Sequence, residues 1–310
     1  MSKTSLNGFD GVYGVVPDDL VAVGAKATQL SPLMPGAAAL EDVADASLAS
    51  IAVLAPPGTL ERRYVLAQAL RALVVDGAFA ALAPRNRGGA RLRGELAQFG
   101  FEVEETSKSH FRVCAGARPA VLSGLDAAIT AGGPQFVAAT GLWSQPGIFS
   151  WDRIDPGSHL LAEHLPRLSG KGADLGCGTG FLSRRVLASP DVQALALVDI
   201  DRRAIAAARR NVADSRANFH WLDAALPLPF GRALDFVVTN PPFHKEGSED
   251  RALGVAVARQ ASRLLTPGGE LWLVANRHLS YAPALRESFV QIALVAQDSE
   301  YQVYRAVRGR

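Results

Sequence analysis

The sequence has few cysteines, no long apolar run and no clear excess of one charge. Cys114 and Cys177 are the only cysteines in 310 residues, which excludes a disulfide framework and favours a reducing compartment. No stretch approaches the roughly 18 unbroken apolar residues of a membrane span. The first residues, MSKTSLNGFDGVYG, lack the apolar core of a signal peptide. We therefore expect a cytoplasmic protein.

The bulk composition bounds the class of protein without naming an activity. Hydrophobic residues make up 48% of the chain and charged residues 20%, which excludes a disordered chain, a collagen and a coiled coil. Thirty-two Lys and Arg against 30 Asp and Glu leave a net charge of +2, too close to balance to indicate a nucleic-acid partner. The six histidines are scattered without metal-ligand spacing, so no metal site is expected. At roughly 100–200 residues per domain, the length predicts two domains.

The second half of the chain alternates short apolar runs with helical patterns. Strands are predicted at 194–200, 234–239 and 270–275. A helix is predicted at 201–212, with Asp201 as its N-cap. Strands that alternate with helices predict a parallel sheet covered by helices on both faces. Residues 131–158 are rich in Gly, Pro, Trp and Ser without sustained periodicity, so we interpret them as a linker and an entry loop.

The first half repeats part of this plan in the same order. Each half has an apolar strand that runs into Pro-Pro, then a helical segment, a strand after a glycine turn, and a last strand. Four matching features in one order favour duplication of one α/β fold over chance similarity. We predict domains at 1–135 and 141–310. The matched positions are 185–192 residues apart: Pro56 and Pro241, Gly77 and Gly269, Val113 and Val303.

A glycine-rich loop is the sharpest motif. Asp174 precedes Gly176, Gly178 and Gly180, which lie between a predicted strand and a predicted helix. Glycines at such a loop let the backbone turn and come close to a ligand. Asp199 ends the next strand, where a carboxylate can accept hydrogen bonds from both hydroxyls of a ribose. The combination predicts a nucleoside site.

The spacing of this loop separates two cofactor classes. Dinucleotide folds use G-x-G-x-x-G, and Phe181 stands where the third glycine would be. A carboxylate at Asp174 repels a diphosphate and suits a cation, which favours S-adenosylmethionine over NAD. Asp223, after the expected third strand, is either an acceptor for the adenine amine or a turn-capping residue.

Asn240, Pro241, Pro242 and Phe243 end the fourth strand of the second half. Two prolines cannot extend a central strand, so the chain turns at the carboxyl edge, where open α/β sheets bind ligands. The Asn240 side-chain oxygen and the Pro241 carbonyl are candidate acceptors for an exocyclic amine, whose lone pair then points at the sulfonium methyl. Phe243 is placed to stack on a flipped-out base. A purely structural turn is the alternative.

Together, DLGCGTG, VDID and NPPF resemble a class I S-adenosylmethionine-dependent N-methyltransferase. GIFSWDRIDPGSHLLAEHLP, NPPFHKEG and ANRHLSYAPAL are similar to RsmC/RlmG-type ribosomal RNA guanine-N2 methyltransferases, from about residue 141 to 310. The resemblance implies transfer to a guanine amine and two tandem Rossmann-like domains, the first without a cofactor site. It also places Phe149, Ser150, Asp155 and Ser158 near the cofactor.

The first half departs from the motif at its Pro-Pro turn. Ala55 and Gly58 stand where the second half has Asn240 and Phe243, so the first domain is expected to be catalytically silent. Residues 56–120 hold ten Lys and Arg against six Asp and Glu, whereas residues 1–55 hold two against six. The asymmetry predicts RNA binding by the first domain, with ordinary solvated arginines as the alternative. The candidate residues are Arg62, Arg63, Arg85, Arg87, Arg91 and Arg93.

Two rival functions remain beside the RNA guanine-N2 methyltransferase. One is another NPPF-type enzyme, acting on adenine N6 of tRNA or DNA or on a protein glutamine amide. The duplicated first half and the C-terminal motif argue against it. The other is a catalytically idle RNA-binding or ribosome-assembly protein, against which Asp174, Asp199, Asn240 and Phe243 all argue. A monomer is expected.

Overall fold

The computed structural model describes residues 8–241, 244–245, 248–249, 251–279 and 281–309. The chain divides into two compact units. Unit N takes in residues up to Pro134 together with Gln145–Gly147, and unit C takes in Gln135–Ser144 and the residues from Ile148 onward. In the described part of the chain, no helix is long and apolar enough to cross a membrane.

Unit N is built on a six-stranded sheet in the order β2-β1-β3-β4-β6-β5. The first four strands in this order are parallel, and β6 and β5 continue the sheet antiparallel. The strands are β1 Phe9–Tyr13, β2 Val23–Gln29, β3 Leu48–Leu54, β4 Leu73–Pro84, β5 Glu104–Lys108 and β6 Phe111–Ala117. The helices are α1 Thr59–Ala72, α2 Leu92–Gln98 and α3 Leu125–Gly132.

Helix α1 is the central helix of unit N and lies almost wholly in its core. Leu66 and Leu70 are fully buried in one cluster with Ile51 and Phe79 of the sheet. Gly132 of α3 comes so close that a Cβ there would lie 2.4 Å from the Tyr64 Cβ of α1. The two helices therefore pack together through a position that only glycine fits.

Unit C has a seven-stranded sheet in the order β11-β10-β9-β12-β15-β17-β16. Its main strands are β9 Gly170–Leu175, β10 Val192–Asp199, β11 Ala217–Trp221, β12 Leu234–Thr239, β15 Leu265–Asn276, β16 Gln291–Gln297 and β17 Tyr301–Val307. Two hairpins join β7 Gln135–Val137 to β8 Leu142–Ser144 and β13 His244–Lys245 to β14 Ser248–Glu249. The helices are α4 Pro156–His164, α5 Phe181–Leu187, α6 Arg202–Asn211, α7 Arg251–Leu264 and α8 Ala282–Arg286.

The two sheets share one topology. The order of unit C without its edge strand β11 reproduces the order of unit N strand by strand. The antiparallel pairing also keeps its register, because Leu82 faces Val113 in unit N and Val274 faces Val303 in unit C. The predicted fold class, two tandem Rossmann-like domains with a degenerate first one, is confirmed.

The start of α6 and the region 131–158 test two local predictions. The Asp201 cap is confirmed, since its side chain accepts the Arg203 N–H at the start of α6. The linker interpretation of 131–158 is wrong, because this region contains the β7–β8 hairpin and the start of α4. Three-residue strands are too short to show a period of two. Asp155 followed by Pro156 is a helix-start signal that the linker interpretation overlooked.

Candidate functional site

The glycine loop lies at the carboxyl end of β9, in the middle of the unit C sheet. Gly176, Gly178 and Gly180 all have positive φ, at 77°, 52° and 86°, a region that side chains with a Cβ rarely adopt. A Cβ on Gly180 would also lie 2.8 Å from Val212 Cγ2. The loop therefore needs glycine for its backbone conformation, and Gly180 needs it for packing as well.

Asp174 lies fully buried beneath this loop. Its Oδ2 accepts a hydrogen bond of 2.6 Å from Ser183 Oγ, a partner that no sequence motif indicates. Its Oδ1 has no hydrogen-bond partner among the described residues. Burial raises the pKa of this carboxyl to about 7, against the lowering effect of the Ser183 hydrogen bond. A buried acid with one unused oxygen is suited to a cationic hydrogen-bond donor.

Asp199 ends β10 beside the loop. Its Oδ2 accepts the Gly178 N–H at 2.8 Å, and its Oδ1 accepts the Asp201 N–H at 2.9 Å. Burial raises its pKa to about 6. Each carboxylate oxygen has a second acceptor position, so the residue can join the loop to a diol while it holds its backbone partners.

Asn240 follows β12 on the other side of β9. Its Nδ2 donates to Asp155 Oδ2 at 2.8 Å and to Ser158 Oγ at 2.9 Å, which uses both amide hydrogens. Its Oδ1 is buried without a partner among the described residues. Asp155, the N-cap of α4, also accepts the Ser158 N–H at 2.7 Å. The start of α4 thus fixes which face of the Asn240 amide is available.

The remaining predicted site residues divide into three cases. Pro241 is described and buried. Asp223 Oδ1 accepts the Ala225 N–H at 2.8 Å, so this residue closes a turn after β11. Pro242 and Phe243 lie outside the described residues.

The start of α4 and the glycine loop line one cleft. Its walls include Phe149, Ser150, Asp155 and Ser158 on one side and Cys177 with Asn240 on the other, around a volume of about 60 Å³. Small-molecule pockets usually measure roughly 300–1,000 Å³, so the cleft is smaller than a typical ligand pocket. Phe149 is 58% exposed. Burial raises the Cys177 pKa well above its ordinary value, which gives this thiol no nucleophilic character.

Unit N fills the corresponding edge with its own side chains. Arg62 is fully buried. Its Nη1 donates to the Pro57 carbonyl of the Pro-Pro turn at 2.7 Å, and its Nε and Nη2 each donate to a Glu95 carboxylate oxygen at 2.7 Å. A Cβ on Gly88 would lie 2.5 Å from Arg62 Nη1, so the arginine-rich loop closes over the guanidinium. The prediction that Arg62 contacts RNA is wrong, because the residue is an internal ion-pair partner.

The other arginines predicted for RNA binding stay at the surface of unit N. Arg85, Arg91 and Arg93 are exposed, and Arg63 and Arg87 are half-buried. Arg63 lies over the Phe99 ring, 5.2 Å from its centroid. Arg91 Nη1 donates to Thr59 Oγ1 at 3.3 Å. Their role in RNA binding stays a prediction.

The shared topology and the glycine loop at the carboxyl edge define a class I, Rossmann-like methyltransferase fold. The family model of the methyltransferase small domain matches residues 139–305, more than half of the sequence. The chain belongs to this family.

Curated relatives match about half of the chain. The ribosomal RNA large subunit methyltransferase G of Streptomyces avermitilis is 40% identical over 168 residues, which cover 52% of this chain and 44% of the relative. The ribosomal RNA small subunit methyltransferase C of Erwinia tasmaniensis is 35% identical over 167 residues, 53% of this chain and 48% of the relative. The match thus spans about half the length of these relatives.

A solved structure matches nearly the whole chain. The 16S rRNA N2 G1207 methyltransferase RsmC of T. thermophilus, in complex with AdoMet and guanosine, superposes with a TM-score of 0.71. It is 24% identical, and the match covers 94% of this chain and 79% of that one. The likeness extends the shared fold to both units.

Proposed function

We propose that the chain is an S-adenosylmethionine-dependent methyltransferase that modifies the exocyclic N2 amine of a guanine in ribosomal RNA. The observation that carries the proposal is the Asn240 amide. Its two hydrogens are both held by the start of α4, while its oxygen is buried and has no partner among the residues that the structure describes. An unpartnered buried acceptor is costly, and a ligand that brings an N–H removes that cost. An aromatic amine is such a ligand.

The chain contributes positioning and electrostatics to the reaction. S-adenosylmethionine supplies an electrophilic methyl group on its sulfonium. Asn240 Oδ1 and the Pro241 carbonyl accept the two amine hydrogens, which localises the nitrogen lone pair and aims it at the methyl carbon. Asp174 holds the methionine ammonium and Asp199 holds the ribose hydroxyls. Gly176, Gly178 and Gly180 shape the loop, while Asp223 and Phe243 are assigned to the adenine amine and the target base.

The substrate assignment rests on the relatives. Two of them are named ribosomal RNA methyltransferases. The solved structure with the same fold is a methyltransferase of a guanine N2 in 16S rRNA, with guanosine bound. A ribosomal substrate supports a location in the cytoplasm. The exposed Arg85, Arg91 and Arg93 of unit N are the candidate phosphate contacts on that unit, with Arg63 and Arg87 beside them.

The test uses the purified chain, a labelled methyl donor and ribosomal RNA from cells that lack the protein. Nucleoside mass analysis should show N2-methylguanosine, and an Asn240→Ala variant should form it about 10²–10³-fold more slowly. N6-methyladenosine would instead support the adenine-directed rival. No labelled nucleoside in any RNA, with intact cofactor binding, would contradict the proposal and leave the idle RNA-binding role.

A further inference from the structure

A surface of unit C outside the candidate site carries arginines stacked on aromatic rings. Each of three guanidinium groups from α6 lies over one ring. The pairs, with distances to the ring centroid, are Arg202 over Trp221 at 5.7 Å, Arg209 over Phe219 at 4.7 Å and Arg210 over Trp143 at 4.5 Å. Phe136, 56% exposed, extends the row with its ring 6.1 Å from that of Trp143. We call these seven residues the arginine–aromatic ridge.

The helix dipole does not account for the ridge. Cations in the last turn of a helix are favoured, which covers Arg209 and Arg210. Arg202, however, is the first residue of α6, where the dipole disfavours a positive charge. The dipole also gives no reason for an aromatic ring beneath each guanidinium.

The segment around the ridge is strongly basic. Residues 201–221 hold five Arg and two Asp, a net charge of +3. The two acids, Asp201 and Asp214, form ion pairs with Arg203 and Arg216, which are not part of the ridge. The ridge therefore presents the exposed cations Arg209 and Arg210 beside the Phe219 and Trp143 rings, a composition suited to an anion that also has flat rings.

Both ends of the ridge are tied to the candidate site. Trp221 pairs with Asp199 in the sheet, and its Nε1 donates to the Ile200 carbonyl at 2.8 Å. The Asn211 amide holds the Trp143 backbone with two hydrogen bonds of 2.8 Å and donates to the Thr179 carbonyl of the glycine loop at 2.9 Å. A ligand on the ridge is therefore held next to the cofactor loop.

We propose that the arginine–aromatic ridge binds a single-stranded segment of the substrate RNA. Unpaired bases stack on its rings, and phosphates pair with its guanidinium groups. Helix α6, at ten residues, is about 15 Å long, enough for a short stretch of nucleotides rather than a duplex. Paired bases hide their faces, so a surface of stacking rings selects unpaired RNA. The inference rests on the proposed function only in that the substrate is RNA.

The test compares two matched double variants by binding of a fluorescent single-stranded RNA over a range of salt. R209Q/R210Q removes two charges from the ridge, and R259Q/R263Q removes two exposed charges from α7 of the same unit. The ridge variant should reduce the slope of log K against log salt by about 1.4, from about 0.7 for each lost contact to single-stranded phosphate. The α7 variant should leave the slope unchanged. Phe219→Leu should weaken binding roughly fivefold or more and keep the slope.

The outcomes separate this inference from the proposed function. Equal effects of the two double variants, or none, would overturn the ridge even if the wild-type chain methylates RNA. RNA binding that depends on the ridge, without any methyl transfer, would overturn the proposed function and support the ridge. Equally tight binding of polyglutamate at matched charge, lost in R209Q/R210Q, would identify a general anion surface and also overturn the ridge.

Discussion

Unit N and unit C have the same strand order and treat the carboxyl edge of the sheet in opposite ways. In unit C, one oxygen of Asp174 and one of Asn240 are buried without partners among the described residues. In the described part of unit N, no buried side-chain N or O atom lacks a partner. Buried polar groups are nearly always satisfied. Ser144 Oγ on β8 is a further buried atom of unit C without a partner among the described residues, but Asp174 and Asn240 lie at the carboxyl edge of the sheet, where a ligand can complete them.

The sheet register shows what replaced the acid in unit N. Tyr13 faces Val53 on β3, and Asp174 faces Val238 on β12, each valine three residues before the Pro-Pro turn of its unit. Tyr13 therefore occupies the position of Asp174 and is buried. A buried tyrosine at this position offers no carboxylate to bind a cationic ligand.

In unit N, the neutral side chain of Gln29 stands in place of the Asp199 carboxylate of unit C. Gln29 Oε1 accepts the N–H groups of Gly14, Leu30 and Ser31 at 2.9–3.1 Å, and its Nε2 donates to the Gly14 carbonyl at 3.1 Å. The amide satisfies the backbone by itself, whereas Asp199 has acceptor positions left over. In unit N, the polar groups that would face a ligand are thus hydrogen-bonded to the protein's own side chains.

The largest effect should come from breaking the internal ion pair of unit N. Arg62→Leu leaves the Glu95 carboxylate buried without its partner, which should lower the free energy of unfolding by about 3–5 kcal/mol. Urea denaturation measures this loss. The double variant R62L/E95L should recover most of it. A double variant as unstable as R62L would contradict the ion-pair explanation.

Asn240→Ala in unit C should lower kcat about 10²–10³-fold, the usual cost of one preorganised hydrogen-bond partner of the reacting group. Cofactor affinity, measured by calorimetry, should stay unchanged because Asn240 holds the amine and not the cofactor.

Ser158→Ala removes one of the two acceptors of the Asn240 amide. It should cost a smaller factor, roughly two- to tenfold in kcat. Full activity of N240A would remove the proposed mechanism.

Asp199→Ala should weaken cofactor binding by about 1.5–3 kcal/mol, the range for hydrogen bonds to a charged group. Asp201→Ala is the matched control, since it removes a neighbouring acid that caps α6. Calorimetry should find one cofactor per wild-type chain, because Gln29 leaves unit N without a diol site. Equal loss of affinity in both variants would indicate a loop defect instead of ribose recognition.

The smallest effect is a pH dependence confined to unit C. The Asp174 pKa is raised from 3.8 to about 7 by burial, so the folded chain holds a proton that the unfolded chain releases. The contribution of this group to stability is therefore greatest below about pH 4 and falls as pH rises to about 7. Affinity for a cationic ligand changes in the opposite direction. It rises with pH, by up to about tenfold for each pH unit, until about pH 7, because only the ionised carboxylate attracts the cation.

Calorimetry between pH 5.5 and 8 measures this rise. Asp174→Asn should bind the cofactor weakly at every pH and should melt at a higher temperature than the wild type at pH 8 in the absence of ligand. Unit N has Tyr13 at the matching position and so has no carboxyl there that could cause this pH dependence. A flat profile in the wild type would show that Asp174 does not meet the cation.

Spacing predicted the glycine loop and the end of β12 before Asn240, because each depends on residues close together in the chain. The duplication could be predicted because four features recur in the same order in both halves. The sequence could not show that Arg62 is buried, since its partner Glu95 is 33 residues away and a charge count treats every arginine as exposed. Nor could it show the hydrogen bond that Asn240 donates to Asp155, 85 residues earlier. Short strands in the β7–β8 hairpin were missed because three residues do not establish a period.

The Asn240-Pro241 step also bears on chemical ageing. Asparagine deamidates when the backbone nitrogen of the following residue attacks the side-chain carbonyl, and proline has no N–H to lose in that attack. The same Asn240 amide is held at both hydrogens by Asp155 and Ser158, so its rotation toward the main chain is restrained. The residue assigned to the amine is thus protected from conversion to aspartate over the lifetime of the protein.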